Sequence, residues 1–301
     1  MTGGDARIED VVIVGAGPAG LSAALVLVRA RRRVVVLDGG AGRSAVAPAS
    51  HGFLGHDGVP PGQLWEQARA QLARYPEFSL VSARAMSLER APEAVRVTLA
   101  EGAPRVARRV LLATGVRDVL PKLEGLPQRW GRSAFSCAHC HGYERASRPW
   151  AVLASDAAML RSAPLLRAWS DQLSVHPGPG LVLDEAARAD LRAHEIALDE
   201  RAIMGLEGEE GELEALRLED GSLVPCGALL LRPKQRQSDL VLFSGLAIED
   251  NGALRVDDTH ETSMERVHAC GDAARGGPQV AFAVGDGAYA GKALLERLMV
   301  G

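Results

Sequence analysis

Two cysteines three residues apart, Cys137 and Cys140, stand among histidines in the run Ser136-Cys137-Ala138-His139-Cys140-His141-Gly142-Tyr143-Glu144. Thiols at this spacing can lie on one side of a turn or helix start, close enough to join as a disulfide and so to accept or release two electrons. The thiolate attacks disulfides and flavins, and both a helix N-terminus and a neighbouring imidazolium favour it over the thiol. His141, directly after the second cysteine, has an ordinary pKa of about 6.5, which suits it to carry protons for the pair. Other readings stand beside this one. The pair could be half of a zinc site with His139 and His141 as added ligands, although Cys226 and Cys270 each stand alone. The cysteines could also be unrelated buried side chains, and His141 a structural imidazole. Glu144 is placed either to orient the histidine or to cap a helix.

The elements that would serve such a pair begin at the N-terminus. Val11-Val12-Ile13-Val14 is a continuous apolar run of the kind that makes a buried parallel strand, and Gly15-Ala16-Gly17-Pro18-Ala19-Gly20 follows at once. A helix is expected over Leu21 to Ala30, then a second strand, Val34 to Leu37, ending in Asp38. In this dinucleotide fingerprint Gly15 makes the tight turn, Gly17 lets the backbone approach a pyrophosphate, and Gly20 lets the helix pack on the strand. Asp38 can accept hydrogen bonds from a ribose. Pro18 and Ala19 complete the turn and count as cofactor contacts. An isolated G-x-G-x-x-G is weak evidence; strand, helix, second strand and terminal acid together are specific.

Arg43, in the next loop, could pair with a diphosphate or be solvated. His51-Gly52-Phe53-Leu54-Gly55-His56-Asp57-Gly58 looks like a loop folded over a ligand, or a bare surface loop, before an amphipathic helix from Gly62 to Tyr75. Strand patterns return at Ala94 to Leu99 and from Arg109 to Gly115, where Thr114 and Gly115 bring the chain back beside a bound dinucleotide. Val116 to Pro121 reads as a crossover. At the far end, Val267 to Asp272 is a short strand closing in Gly271-Asp272, and a long helix runs from Gln279 to Met299. Asp272 can bind a ribitol hydroxyl, and the helix start at Gln279 and Val280 directs N–H groups at an electron-rich ring edge. Cys226 and Cys270 read as small buried hydrophobes.

The 301 residues, 47% hydrophobic, suffice for two cores. A net charge of -4 with both signs interspersed leaves no footprint for nucleic acid. No apolar run reaches the roughly 18 to 20 residues of a membrane span, and a soluble cytoplasmic protein is expected. Four cysteines are no disulfide scaffold, and in a reducing compartment a close pair is catalytic more often than structural.

With these residues assembled, the sequence resembles the thioredoxin reductase family of two-domain FAD-dependent disulfide oxidoreductases. The match runs in order through Gly15 to Gly20, Asp38, Ala113-Thr114-Gly115, Cys137 to Cys140, and Gly271-Asp272 with Gln279-Val280. The resemblance implies an α/β fold of two Rossmann-like, three-layer ββα domains: a discontinuous FAD domain over 1–118 and 245–301, and an inserted, degenerate nucleotide-binding-like domain over 119–244. It further implies FAD as cofactor, Asp272 on its ribityl chain, Cys140 facing the flavin, Cys137 exchanging with substrate, and a homodimer.

Two departures bear on function. Thioredoxin reductases have an acid after the second cysteine; His141 here resembles the branch of dithiol oxidases that close disulfides in gliotoxin- and holomycin-type natural products. The family's second glycine-rich turn, for NADPH, is also missing. The corresponding strand, Pro149 to Leu153, runs into Ala154-Ser155-Asp156-Ala157-Ala158-Met159, where Asp156 would repel a pyrophosphate and its carboxylate, or the Ser155 hydroxyl, could cap the helix. After the next strand, Gln172 to His176, Pro177-Gly178-Pro179-Gly180 replaces a basic pair. The expectation is therefore an FAD-dependent oxidase that converts a small-molecule dithiol to a disulfide, with dioxygen as acceptor and hydrogen peroxide as product. The alternatives are a thioredoxin reductase-like reductase fed by NAD(P)H or another donor, and a flavin-bound redox sensor without turnover.

Overall fold

The run Val11-Val12-Ile13-Val14 has no polar face and needs burial on both sides. In the computed structural model, strand Glu9–Val14 lies inside a seven-stranded sheet with all four of these residues buried. The structure describes residues 8–40, 42–209, 211–277 and 279–300. These fall into two compact units, one comprising residues up to 45, 53–117 and 235 onward, the other 46–52 and 118–234.

In the first unit the sheet order is Phe78–Ser82, Val34–Asp38, Glu9–Val14, Arg105–Leu112, Ala94–Leu99, Ala85–Ala91, with Val267–Ala269 also pairing with Arg105–Leu112. The strands around Glu9–Val14 are parallel, and the two from 85 to 99 form an antiparallel flap. Helices Pro18–Arg29 and Val280–Val300 cover one face, where Leu27 and Leu294 are fully buried; each such side chain contributes roughly 1.5–3 kcal/mol. Two small residues set the approach of these helices: a Cβ at Gly287 would stand 2.1 Å from the Ala19 carbonyl oxygen, and one at Gly291 2.9 Å from that of Ala23.

Some expected bounds move. The first helix starts at Pro18 rather than Leu21, because proline's fixed φ and missing N–H suit the first helical position. The strand expected over 109–115 spans Arg105–Leu112 and leaves Ala113-Thr114-Gly115 beyond its end. The amphipathic helix is Pro61–Leu72. The chain returns to the first unit at Gln235, upstream of 245, because Gln237 donates to the Gly252 and Ala273 carbonyls and Leu240 and Val241 enter the first unit's core. Residues 46–52, expected in the first domain, belong to the second unit.

The second unit has a parallel sheet ordered Ala197–Leu198, Leu173–Pro177, Trp150–Ala154, Ala228–Leu231, Ala134–Phe135. An antiparallel sheet of Ile203–Glu207, Ala215–Leu218 and Leu223–Pro225 forms a second layer, sharing a core with Ala151, Leu229 and Leu231. Helices Ala157–Ser162 and Glu185–Ala193 cover the other face, Met159 and Leu191 packing in one core with Trp150 and Val152. This is the expected three-layer ββα arrangement.

Candidate active site

Cys137 and Cys140 close a disulfide, with sulfurs 2.03 Å and Cα atoms 5.3 Å apart. Cys137 caps a single helical turn, Ala138–His141, that follows strand Ala134–Phe135; the Cys140 N–H donates to the Cys137 carbonyl at 3.2 Å. Four helical residues carry little macrodipole, so the helix-start contribution to thiolate stability is smaller than the sequence suggests. The turn needs glycine at 142. A Cβ there would stand 2.5 Å from the Ala138 carbonyl oxygen and 2.6 Å from Cδ1 of Trp169. Beyond it, Arg145 is fixed by Glu212, to whose Oε1 it donates at 2.8 Å, and its carbonyl accepts from Trp150 Nε1 at 2.9 Å.

His141 stacks on Phe135, ring centroids 5.1 Å apart, and Phe135 meets Trp150 edge-on. Burial lowers the His141 pKa to about 4, with the charges of His51 and Arg145 acting in the same direction. At neutral pH the imidazole is therefore neutral in the disulfide form. It keeps its capacity to accept a proton, but the imidazolium support for a thiolate expected from sequence does not exist in this state. Exposed His139 lies edge-on to Trp169, with centroids 5.1 Å apart. Glu144 pairs with neither neighbouring histidine: its Oε1 is 3.4 Å from Nε2 of His51, brought by segment 46–52. Sequence reading saw His51 only as part of a glycine-rich loop, and no spacing rule links positions 51 and 144. Among the described residues no group of three or more His, Cys, Asp or Glu has the arrangement to hold a metal ion.

The first unit holds the candidate cofactor residues. Gly15 has φ +117, and a Cβ there would stand 2.2 Å from the Ala113 carbonyl oxygen; one at Gly20 would stand 2.0 Å from that of Gly15. Gly17 differs, since a Cβ there would meet nothing within 4 Å. Gly17 also occupies the N-cap of helix Pro18–Arg29 without a side-chain cap, and Pro18 has no N–H to donate, so the first-turn amides, that of Ala19 first, lack a side-chain acceptor. An open cradle before an uncapped helix start fits a pyrophosphate. Asp38 ends its strand as expected, but its Oδ2 accepts from Arg69 at 2.7 Å and its Oδ1 from the Gly40 N–H at 3.0 Å. Arg69, on helix Pro61–Leu72, has no sequence signal beyond its place on an amphipathic helix.

Arg43 and Asp272 meet, with Nη1 3.2 Å from Oδ2. Gly115, at φ +60, has open space where a side chain would be, and Thr114 Oγ1 lies 3.5 Å from the Gly115 carbonyl oxygen. Gly271 has φ +66, and Val280 opens the C-terminal helix, with the Gln279 carbonyl accepting from the Ala283 N–H at 3.1 Å. The lone cysteines are buried; burial pushes the Cys226 thiol up to about 12, and burial together with Asp286 raises that of Cys270.

The equivalent turn of the second unit is closed. Strand Trp150–Ala154 leads to helix Ala157–Ser162, whose N-cap Asp156 accepts from the Met159 N–H at 2.8 Å. Ser155 Oγ donates to the same carboxylate at 3.1 Å, and the Met159 N–H, before it the largest cause, holds Asp156 below the usual carboxylate range. Pro177-Gly178 folds back, the Gly178 N–H donating to the Ala154 carbonyl at 2.7 Å, where a Cβ on Gly178 would stand 2.9 Å away.

The first unit thus carries a strand-to-helix glycine turn and the second a cysteine pair closed as a disulfide. The sequence profile of the pyridine nucleotide-disulphide oxidoreductases matches residues 9–287. Thioredoxin reductase sirT of Leptosphaeria maculans is 32% identical, covering 94% of this chain and 92% of its own length. Thioredoxin reductase tcpT of Claviceps purpurea is 30% identical over 97% and 95%. Among solved structures, an oxidoreductase from Agrobacterium tumefaciens superposes with a TM-score of 0.91 at 34% identity, over 98% of this chain and 99% of that one. HlmI does so with a TM-score of 0.91 at 34% identity, over 99% and 95%.

The chain belongs to the pyridine nucleotide-disulphide oxidoreductase family, as a thioredoxin reductase-like flavoprotein whose cofactor is FAD. Among the described residues no helix is long and apolar enough to cross a membrane.

Proposed function

We propose that the protein is an FAD-dependent dithiol oxidase acting on a small-molecule dithiol. The observation that carries this reading is Asp156, whose carboxylate occupies the helix start where a nicotinamide dinucleotide would place its pyrophosphate. The Gly178 N–H bonded to the Ala154 carbonyl narrows the same turn. A substrate thiolate attacks Sγ of Cys137, a substrate–enzyme disulfide forms, and Cys140 leaves as thiolate. Neutral His141 accepts the proton of an incoming thiol, burial keeping the ring unprotonated and ready to receive it at neutral pH. The second substrate thiolate then attacks the mixed disulfide at the substrate sulfur, the cyclic product departs, and Cys137 is left reduced. The Gly15 to Gly20 turn would hold FAD, with Asp38, Arg43, Thr114, Gly115, Asp272, Gln279 and Val280 around it, and the bound cofactor would supply two-electron acceptance from the dithiol and transfer to dioxygen. The balance is one dithiol and one dioxygen to one disulfide and one hydrogen peroxide. On the resemblance alone we infer a homodimer, which sedimentation at several concentrations tests, and a cytoplasmic location.

Both fungal relatives are called thioredoxin reductases, which favours a second reading, disulfide reduction; on that reading NAD(P)H or another donor feeds the flavin. Anaerobic mixing of the holoprotein with NADPH, NADH or a reduced small dithiol separates the two. The oxidase reading expects flavin bleaching by the dithiol alone and oxygen uptake when air returns. Bleaching by NADPH on the same timescale overturns it.

A further inference from the structure

Asp286 lies in the run Val284-Gly285-Asp286-Gly287 of the C-terminal helix, outside every cofactor motif considered above. A helical carboxylate usually faces water, but this one is turned inward, its side chain 14% exposed. Three groups converge on it. The Gly271 N–H donates to Oδ2 at 2.7 Å, Nε of Arg275 is 3.0 Å from Oδ1, and Nε2 of His260 is 3.9 Å from Oδ1. The other ring nitrogen of His260 is 3.2 Å from the Ala269 carbonyl oxygen, which places the ring between the carboxylate and strand Val267–Ala269.

Gly271 is where that strand turns toward Asp272. Its φ of +66 is open to glycine and strained for other residues, and a Cβ there would stand 2.8 Å from Cβ of Ala19. The turn is thus held against helix Pro18–Arg29 on one side and by the Asp286 carboxylate on its amide. A backbone N–H bonded to a charged acceptor is held more firmly than one bonded to a neutral acceptor. Asp272 is the next residue, and its carboxylate meets Arg43 at 3.2 Å.

We propose that Asp286 is a positioning residue for FAD: by fixing the Gly271 amide it sets the direction of Asp272 and, through it, of Arg43. The inference rests on the assignment of FAD to the first unit and adds to it a residue that need not touch the cofactor. Apoprotein titrated with FAD, with protein-induced quenching of flavin fluorescence as the readout, tests it without turnover. Asp286→Ala should weaken FAD binding about tenfold or more while apoprotein still melts cooperatively. Asp286→Glu keeps the charge beside Arg275 and His260 but moves the carboxylate by one methylene, and should weaken binding several-fold; it decides the matter should the alanine variant not fold. Arg275→Gln should stay within about twofold, because the Arg275 side chain is half exposed and its charge is screened by water. A merely structural Asp286 would lower the melting temperature of the apoprotein and leave FAD affinity alone. Affinities within twofold of wild type for both Asp286 variants overturn the inference and leave the cofactor assignment standing. Wild-type chain that takes up no FAD overturns both.

Discussion

The turn from Gly15 to Gly20 and the turn from Ala154 to Met159 are the same strand-to-helix connection, and they treat the helix start in opposite ways. In the first, Gly17 is the N-cap, contributes no side chain and leaves open space. In the second, Asp156 is the N-cap and its own Oδ1 takes the Met159 N–H at 2.8 Å. A helix N-terminus attracts whichever anion arrives, from solution or from the chain itself. One carboxylate thus satisfies within the chain an amide of the kind that the first turn leaves open, with a parallel sheet behind each.

Importing the second solution into the first turn is the strongest way to break this contrast. Gly17 has extended backbone at φ -81 and ψ -176, and nothing lies within 4 Å of its Cβ direction, so Gly17→Asp should fold. The new cap should stabilise apoprotein by a few tenths of a kcal/mol. FAD affinity should fall about a hundredfold or more, about 3 kcal/mol, measured by flavin titration. Retention of yellow holoprotein through gel filtration would show that the open cradle is not what holds the cofactor.

If the second unit takes no electrons from a nicotinamide, its traffic runs through Cys137–Cys140, and His141 is the place to interrupt it. His141→Gln should slow reduction of the flavin by a dithiol by about 10²–10⁴-fold in anaerobic stopped flow. A rate within threefold of wild type would remove His141 from the proton path. The same residue also predicts a pH effect on the oxidised protein. Its folded pKa of about 4 lies below the unfolded value near 6.5. The unfolded chain thus binds a proton that the fold refuses, and stability is lost as pH falls from about 6.5 to about 4, by about 3 kcal/mol in all. Denaturant melts across that window should show a smaller loss in His141→Gln than in wild type; the remainder belongs to His268 and His176, whose pKa values burial also lowers.

The smallest effect belongs to the reverse exchange. Asp156→Ala removes the cap and should lower stability by about 1 kcal/mol in denaturant melts. The carboxylate form makes the hydrogen bond, so this contribution is present above the ordinary aspartate pKa and fades as pH falls through the lower, folded one. The variant should still show no NADPH binding by calorimetry, because the Gly178 backbone closes the turn from the other side and Pro177 to Gly180 offers no cation. Tight binding on removal of this one carboxylate would mean that Asp156 alone excludes the nucleotide.

The candidate residues differ in how much a reader of the sequence could see. Val11 to Val14, the Gly15 to Gly20 turn, the cysteine pair and the Asp156 cap are contiguous, and each states its backbone requirement within a few residues. His51 with Glu144, Arg69 with Asp38 and Asp286 with Gly271 are contacts across long stretches of chain, made by residues whose types are common on surfaces. They exist because packing within each unit brings loops and helices together, and no periodicity encodes that. His141 shows a third case: its position was legible, but its protonation depends on burial against Phe135, which only packing supplies.

Trp169 lies against Gly142 and runs nearly parallel to Trp150, their ring centroids 6.4 Å apart and planes 11° from each other. The turn that carries the disulfide thus rests on one indole stacked beside a second, so a movement of Gly142 as the sulfurs part would change the surroundings of Trp169. Ultraviolet emission from the apoprotein is accordingly a native optical gauge of whether the cysteines are joined, readable with no dye and no flavin.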